Sequence, residues 1–454
     1  VFALPGLLLL FLLDYLRPQE FFPVFRELRL LYVGTALAAL GLLLDLRLGL
    51  SRLRPAPHLL LTALFVLWSL FTLALREPAL VLPRAFSLLV PIAVYLLVAH
   101  ALQSLRALQL ACGTLLAICL LLASLGVVQG TGREACYRVA LVDGDIRWLY
   151  DGRPCADRLD CEGEGAEPGA EYACERVGVG ERGSVRGRVR WVGTMEDPNE
   201  LSLVLGIGLP FAFAFLDRRR TVPRALLAAG AAALIGLCTY YTRSRGGQLV
   251  FLSVLAVYFA RRVGVRRGLA AAVALALPVL LFGGRSGTTA EASTSERVET
   301  WWIGLHLFTG SPLLGVGSGR FTEYHYLTAH NSFILAAAEL GFPGLVLFVG
   351  ILWVSARIPL AALGRAPPPA ARAWSLALLA ALAGLVVGAT FLSFMYKNIL
   401  WIYVGLSGAL YQAMRRHDPG FEVRFGPRDL VAVTAVSAGL VLAHVAYTGA
   451  KLGW

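Results

Sequence analysis

Apolar residues along this chain come in long uninterrupted blocks separated by short polar breaks. Leu59–Leu75, Ala107–Val128, Leu201–Leu216 and Trp374–Phe391 run on with almost no charge. Each approaches the roughly 20 residues that a helix needs to cross a bilayer. A segment inside hydrocarbon must satisfy its own backbone hydrogen bonds, so the blocks are expected to be α-helices, and their Leu and Ala content agrees. The pattern predicts an all-α polytopic membrane protein with about 12–13 spans. They begin near residues 2, 28, 57, 85, 107, 199, 223, 247, 268, 331, 372, 398 and 429. The Leu80–Val94 region reads either as a span or as a re-entrant piece. Val1–Leu13 has the look of a signal-peptide core but lacks a basic start and a small-residue cleavage site, so a retained first helix is expected.

The expected organisation is N-terminal spans over residues 1–128, a polar loop over 129–198, central spans over 199–283, a second polar loop over 284–330 and C-terminal spans over 331–454. Composition sharpens this picture. Of 454 residues, 57% are hydrophobic and 15% charged, against about 25% charged in an average globular chain. Mean hydropathy is +0.68. A soluble protein with one giant core is excluded by the block lengths.

The formal net charge of +12 is carried by arginines at block ends, with no basic run interleaved with aromatics, so nucleic acid is set aside. Strongly basic breaks fall at Arg47/Arg52/Arg54, Arg218–Arg220 with Arg224, Arg261/Arg262/Arg266/Arg267, Arg357/Arg365/Arg372 and Arg415/Arg416/Arg424/Arg428. They lie on alternate loops, as the positive-inside rule requires if all are cytoplasmic. The two long polar loops then face outward together.

Cysteine placement bears on the same question. Cys112, Cys119 and Cys238 lie in apolar blocks, where a thiol behaves as a small hydrophobe. Cys136, Cys155, Cys161 and Cys174 all fall in the first polar loop. An even cluster there reads as two disulfides in an oxidising compartment, with three pairings open. A four-cysteine zinc site is the alternative, and the lack of a C-x-x-C pair weighs against it.

Charged groups at a membrane boundary need a task or a partner, and three outward-facing places gather them. Thr242-Arg243-Ser244-Arg245-Gly246-Gly247 puts two arginines where positive-inside does not explain them. Arginine suits bidentate phosphate contacts, and the glycines would let a ligand approach the backbone; two snorkelling arginines are the plain alternative. Ser295–Trp302 is expected as an amphipathic segment carrying Arg297, with Trp301 and Trp302 at the interface, and it leads to the glycine string Ser311–Phe321. That string has no G-K-[ST] and is not a Walker A loop; it reads as a tight, backbone-exposed turn. Third, Ala329-His330-Asn331-Ser332 stands where a loop enters a span. A histidine there suits a general base near neutral pH, or merely anchors the helix. Gly341-Phe342-Pro343-Gly344 predicts a kink deeper in the same span.

Weaker candidates complete the survey. His325 and His330 lack a helix-spaced acidic partner, which argues against a zincin-like site. Asp143-Gly144-Asp145 matches the D-x-D pattern of metal-dependent transferases but reads better as a solvated turn. Glu339, inside an apolar block, is either a tether between helices or a functional acid. Pro18 of Arg17-Pro18-Gln19-Glu20 ends the first helix.

Taken together, Gly193-Thr194 with Asp197-Pro198-Asn199, Thr242–Gly247, Arg297 with Trp301, Pro312–Phe321 and His330–Gly344 resemble, in order, the O-antigen ligase and polymerase superfamily of bacterial membrane proteins. Arg17-Pro18-Gln19-Glu20 looks like an exopolysaccharide-associated branch of it. The span after Arg428 and the cysteine-rich loop are less usual there and bear on the acceptor. The resemblance implies a GT-C-like, inverting, metal-independent enzyme of the bacterial inner membrane, without cofactor. It implies a donor glycan on undecaprenyl diphosphate and an acceptor hydroxyl on the periplasmic face, in a lipid A-core or polysaccharide. By carry-over, His330 is the base, Arg245 and Arg297 clamp the diphosphate, Arg243 and Arg320 assist, and Asn199 and Asn331 support. A ligase, a polymerase and a protein-glycosylating relative remain open. A lipid-linked glycan transporter is the reading from another class. It would call for inverted repeats and ionisable groups near the midplane, whereas the polar groups here cluster at one face.

Overall fold

The computed structural model describes residues 2–25, 27–142, 145–218, 221–282, 288–365 and 367–452. Asp143 and Gly144 of the acidic turn, Arg219 and Arg220 of one basic break, and the first residues of the second polar loop lie outside them.

The chain opens with α1 (Ala3–Leu16), α2 (Leu30–Arg47), α3 (Leu59–Arg76), α4 (Val81–Ala101) and α5 (Leu105–Gly130). The cysteine loop then holds β1 (Glu134–Val142), β2 (Asp145–Pro154), the short α6 (Arg158–Glu162) and β3 (Glu171–Arg176). The central helices are α7 (Pro198–Gly208), α8 (Pro210–Arg218), α9 (Val222–Thr242), α10 (Arg245–Val263) and α11 (Val265–Phe282). After α12 (Thr288–Gly310) come α13 (Ser332–Gly364), α14 (Pro369–Ala389), α15 (Asn398–His417) and α16 (Pro427–Leu452). A helix begins within four residues of every expected span start, and Leu80–Val94 belongs to a continuous helix.

Among the described residues, ten segments are long and apolar enough to cross a membrane. Their outer faces explain why water is the wrong solvent. Helix α3 exposes Leu60, Leu64, Leu67, Phe71 and Leu75 along one side, a stripe at the spacing of a single helical face. Contiguous apolar surface of this kind is rare on soluble monomers. The enclosed helices are α7, α13, α14 and α15, with Trp374, Trp401 and Tyr403 fully buried between them.

The cysteine loop adds a three-stranded antiparallel sheet, in the order β2-β1-β3, to the helical bundle. Its pairing is Cys136–Cys161 and Cys155–Cys174, which selects one of the three open connectivities and leaves none of these thiols for zinc.

Helix α13 is broken at Gly341, whose φ of 66° and ψ of −172° lie in a region essentially reserved for glycine. The break frees backbone groups that must find partners away from water. The glycine string supplies them. Val316 N–H donates to the Ala338 carbonyl at 2.9 Å, Gly317 N–H to the Glu339 carbonyl at 2.9 Å, and Phe342 N–H to the Pro312 carbonyl at 2.7 Å. Trp68 Nε1 donates to the Leu340 carbonyl at 2.8 Å. The expected backbone-exposed turn is thus corrected: Gly315, Val316, Gly317 and Ser318 are buried, with the Val316 and Gly317 N–H groups spent on α13. A Cβ on Gly341 would collide with the Leu313 backbone. Gly341→Ala is therefore expected to destabilise the fold by at least ~1–3 kcal/mol from the backbone conformation alone. Thermal unfolding of the purified variant checks this, and an unchanged midpoint would refute it.

Candidate active site

The polar residues singled out in the sequence sit at helix starts that hydrogen bonds tie together. Asp197 caps α7, its carboxylate accepting the Asn199 N–H at 2.8 Å and Asn199 Nδ2 at 2.8 Å. Asn199 Oδ1 in turn accepts the Ser244 hydroxyl at 2.7 Å and Arg188 Nη2 at 3.0 Å. Ser244 caps α10 by accepting the Gly247 N–H at 3.0 Å, and Arg188 Nε donates to the Thr242 carbonyl at 2.9 Å. One buried amide therefore fastens the start of α7 to the turn between α9 and α10. Arg243, in the left-handed conformation at the end of α9, and Arg245, first residue of α10, are both exposed on that turn. Gly247 has a different reason from the one expected: a Cβ there would strike Ser202, so it serves helix packing and not ligand approach.

His330 precedes α13 with φ at 48°. Asn331 caps the helix, its Oδ1 accepting the Phe333 N–H at 2.9 Å and the Ile334 N–H at 3.1 Å. Ser332 donates to the Leu392 carbonyl at 2.6 Å, and Thr328 donates to Ser393 Oγ at 2.8 Å. The histidine is held by its neighbours on both sides. Burial of the imidazole holds its pKa below the ordinary histidine value, and the Arg297 guanidinium acts in the same direction. Asp197 and Glu296 oppose them without reversing the direction. The result is a neutral imidazole at pH 7, half-enclosed, under the opposing influence of a cation on α12 and the carboxylate that caps α7.

The structure thus brings His330, Arg297 and Asp197 together and links Asn199, Ser244 and the Arg243/Arg245 turn to them. Arg320 is placed differently. Its guanidinium pairs with Glu323, Nη2 lying 2.7 Å from the carboxylate and Nε within 3.0 Å of both oxygens. Its charge is compensated within its own turn. His325 Nδ1 accepts the Leu327 N–H at 3.0 Å and its ring lies against Tyr326, while its buried Nε2 has no hydrogen-bond partner among the described residues. Glu339 proves to be a tether: its buried carboxylate accepts Gly319 N–H at 2.7 Å, Phe321 N–H at 3.1 Å and the Tyr396 hydroxyl at 2.9 Å. Arg84 completes that cluster, its guanidinium 3.9 Å from the Tyr396 ring centroid and its Nε donating to Ser318.

Three residues escaped the sequence reading. Arg188 looked like one more arginine of a charged loop. Lys397, 3.6 Å from Glu200 near the start of α7, had one legible signal: it is one of only two lysines in the chain. His444 lies on α16, and its Nε2 is 2.8 Å from Asn331 Nδ2, with its ring edge-on to Trp301 at 5.2 Å. The last helix thereby braces the cap beside His330.

Long apolar helices whose polar groups gather at a few joined starts define a polytopic membrane protein with a polar site built at those starts. Residues 229–349 match the model of the O-antigen ligase family, and the chain carries an O-antigen ligase domain there. The match includes Arg243, Arg245, Arg297, Arg320, His330 and Asn331; Arg188 and Asn199 precede it and His444 follows it. Its coarse meaning is a glycosyltransferase-like membrane enzyme of the O-antigen ligase or polymerase type. No curated protein matches the chain. A chain of a solved structure, described as "Structural coordination of polymerization and crosslinking by a peptidoglycan synthase complex", aligns at 18% identity over 80% of this chain and 98% of its own, with a TM-score of 0.43.

Proposed function

We propose that this protein is an O-antigen ligase-like glycosyltransferase that moves a glycan from undecaprenyl diphosphate to an acceptor hydroxyl at the periplasmic face of a bacterial inner membrane. The observation that carries the reading is the neutral, enclosed His330 beside Arg297, within the segment that matches the ligase family. The acceptor O–H gives its proton to the imidazole as its oxygen attacks the anomeric carbon, and the bond from that carbon to the diphosphate oxygen breaks. Negative charge grows on the departing diphosphate. Arg297 and Arg245, with Arg243 beside it, supply fixed positive charge there, and the starts of α7, α10 and α13 add helix dipoles of the same sign. Direct displacement inverts the anomeric centre. The periplasmic placement is supported by the alternation of basic breaks and by the two disulfides in the first polar loop.

The test is incubation of the purified protein with a defined lipid-diphosphate oligosaccharide and each candidate acceptor, followed by mass analysis. The expected product is glycan joined to a lipid A-core acceptor, formed equally well with a chelator present. Growth of carrier-linked chains without a separate acceptor would make the enzyme a polymerase. No product with any acceptor would overturn the proposal, and loss of product in chelator would overturn its metal independence.

A further inference from the structure

A cleft that the proposed transfer chemistry does not use lies against the cysteine-loop sheet. It is walled by the disulfide-linked sheet on one side and by the segment following α1 on the other, and holds about 1100 Å³. That exceeds the roughly 300–1,000 Å³ of most small-molecule pockets and fits an extended ligand. Its walls are fastened. Arg182 Nη2 donates to the Glu20 carbonyl at 2.8 Å, Trp191 Nε1 donates to the Tyr15 carbonyl at 3.1 Å, and a Cβ on Gly180 would strike the Phe21 ring.

The lining is of two kinds. Phe21, Phe22, Trp148 and Tyr150 present aromatic surface; Trp148 and Tyr150 are two apart on β2 and so share one face of the strand. Between them stand planar polar groups, Gln19, Glu20, Glu181, Arg190 and Glu196. Arg190 lies 5.7 Å from the Trp148 ring centroid and 3.6 Å from Glu196. Gln19 Oε1 and, next door, Arg17 Nε have no protein partner. Aromatic faces cover the apolar C–H faces of sugar rings, while carboxylates, amides and guanidinium groups bind paired hydroxyls around the ring edges. A purely apolar ligand would leave Gln19 Oε1 without a partner.

A second cavity, about 420 Å³, shares Glu20, Arg182 and Glu196 with the cleft and extends it to Arg17, Gly193, Lys397 and Asn398. Lys397 lies 3.6 Å from Glu200, three residues beyond Asp197, whose charge acts on His330.

We infer that this cleft binds an oligosaccharide, holding sugars remote from the reacting residue of the glycan; its place in catalysis rests on the transferase reading, its ligand class on its own lining. The sugars belong either to the donor or to the acceptor, and the test separates the two. The purified full chain in nanodiscs is titrated, by calorimetry, with lipid-free oligosaccharide released by mild acid from the source cells' carrier-linked glycans, and separately with lipopolysaccharide core oligosaccharide. One of the two is expected to bind, and Trp148→Ala/Phe22→Ala to weaken it at least tenfold. Glu181→Gln serves as a second variant that leaves the aromatic packing intact, and the thermal midpoint of each variant is compared with wild type. His330→Ala is expected to bind like wild type. Binding by neither oligosaccharide, or equal affinity in wild type and all cleft variants, would overturn the inference. Failure of the wild-type protein to transfer glycan to any acceptor would overturn the transferase reading while leaving the binding result standing.

Discussion

His330→Ala is expected to lower transfer by about 10²–10⁴-fold, the usual worth of a positioned general base, while leaving the bundle folded. The expectation of a folded variant rests on the division of labour at the start of α13. Asn331, not His330, accepts the first helical N–H groups, so the cap survives. One complication is the left-handed backbone of residue 330, at φ 48°, which costs an alanine about 1–2 kcal/mol. His330→Asn removes it, because asparagine tolerates that conformation and cannot serve as the base. Both variants should lose activity alike, and turnover near wild type in the asparagine variant would sink the assignment. The pH profile supplies a second, independent reading. The neutral imidazole is the active form, and burial with Arg297 holds its pKa below 6.5 in the free enzyme. The acid limb of kcat/KM should therefore fall below pH 6.5, with activity lost as pH drops through it and retained above. An acid limb at or above 6.5 that depends on His330 would contradict the electrostatics described here.

Much of the fold was legible because bilayer-spanning helices write themselves as long apolar runs, a signal that needs no tertiary information. The sheet was not. Glu134–Val142 and Glu171–Arg176 are short and mix charge with apolar residues, and their stability comes from two disulfides whose pairing no spacing reveals. The site was partly legible for a related reason. Cysteine parity, the outward arginines and a histidine at a helix start are local signals. The Arg188–Asn199–Ser244 knot is not, since its members are scattered and only packing gives them one hydrogen-bond centre. The same holds for His444, which reaches Asn331 across 113 positions of sequence. The glycine string shows the opposite failure. Its composition suggested open backbone for a ligand, but the break at Gly341 creates unpaired groups inside the bundle, and the string is the segment that pairs them.

Arg297→Lys should reduce turnover by about 10²–10³-fold, the scale for removing one preorganised charge-stabilising group, even though it conserves the formal charge. A guanidinium offers donors in a planar fork that matches two diphosphate oxygens at once; an ammonium is a compact point charge on a flexible stem. Arg297 is half-buried on α12, three positions before Thr300, whose hydroxyl donates to the Ala329 carbonyl at 3.4 Å and so ties this helix to the loop that carries His330. Two effects of Arg297 can be separated by the choice of variant. Lysine keeps the positive charge that helps depress the His330 pKa, so its acid limb should stay where the wild type has it while kcat falls. Arg297→Gln removes the charge, and its acid limb should move upward toward the ordinary histidine value in addition to the loss of turnover. Steady-state rates across the pH range for the three proteins distinguish these outcomes. Wild-type turnover in Arg297→Lys would take Arg297 out of diphosphate stabilisation. An unmoved acid limb in Arg297→Gln would show that its charge does not act on His330, and burial alone would then account for the neutral base.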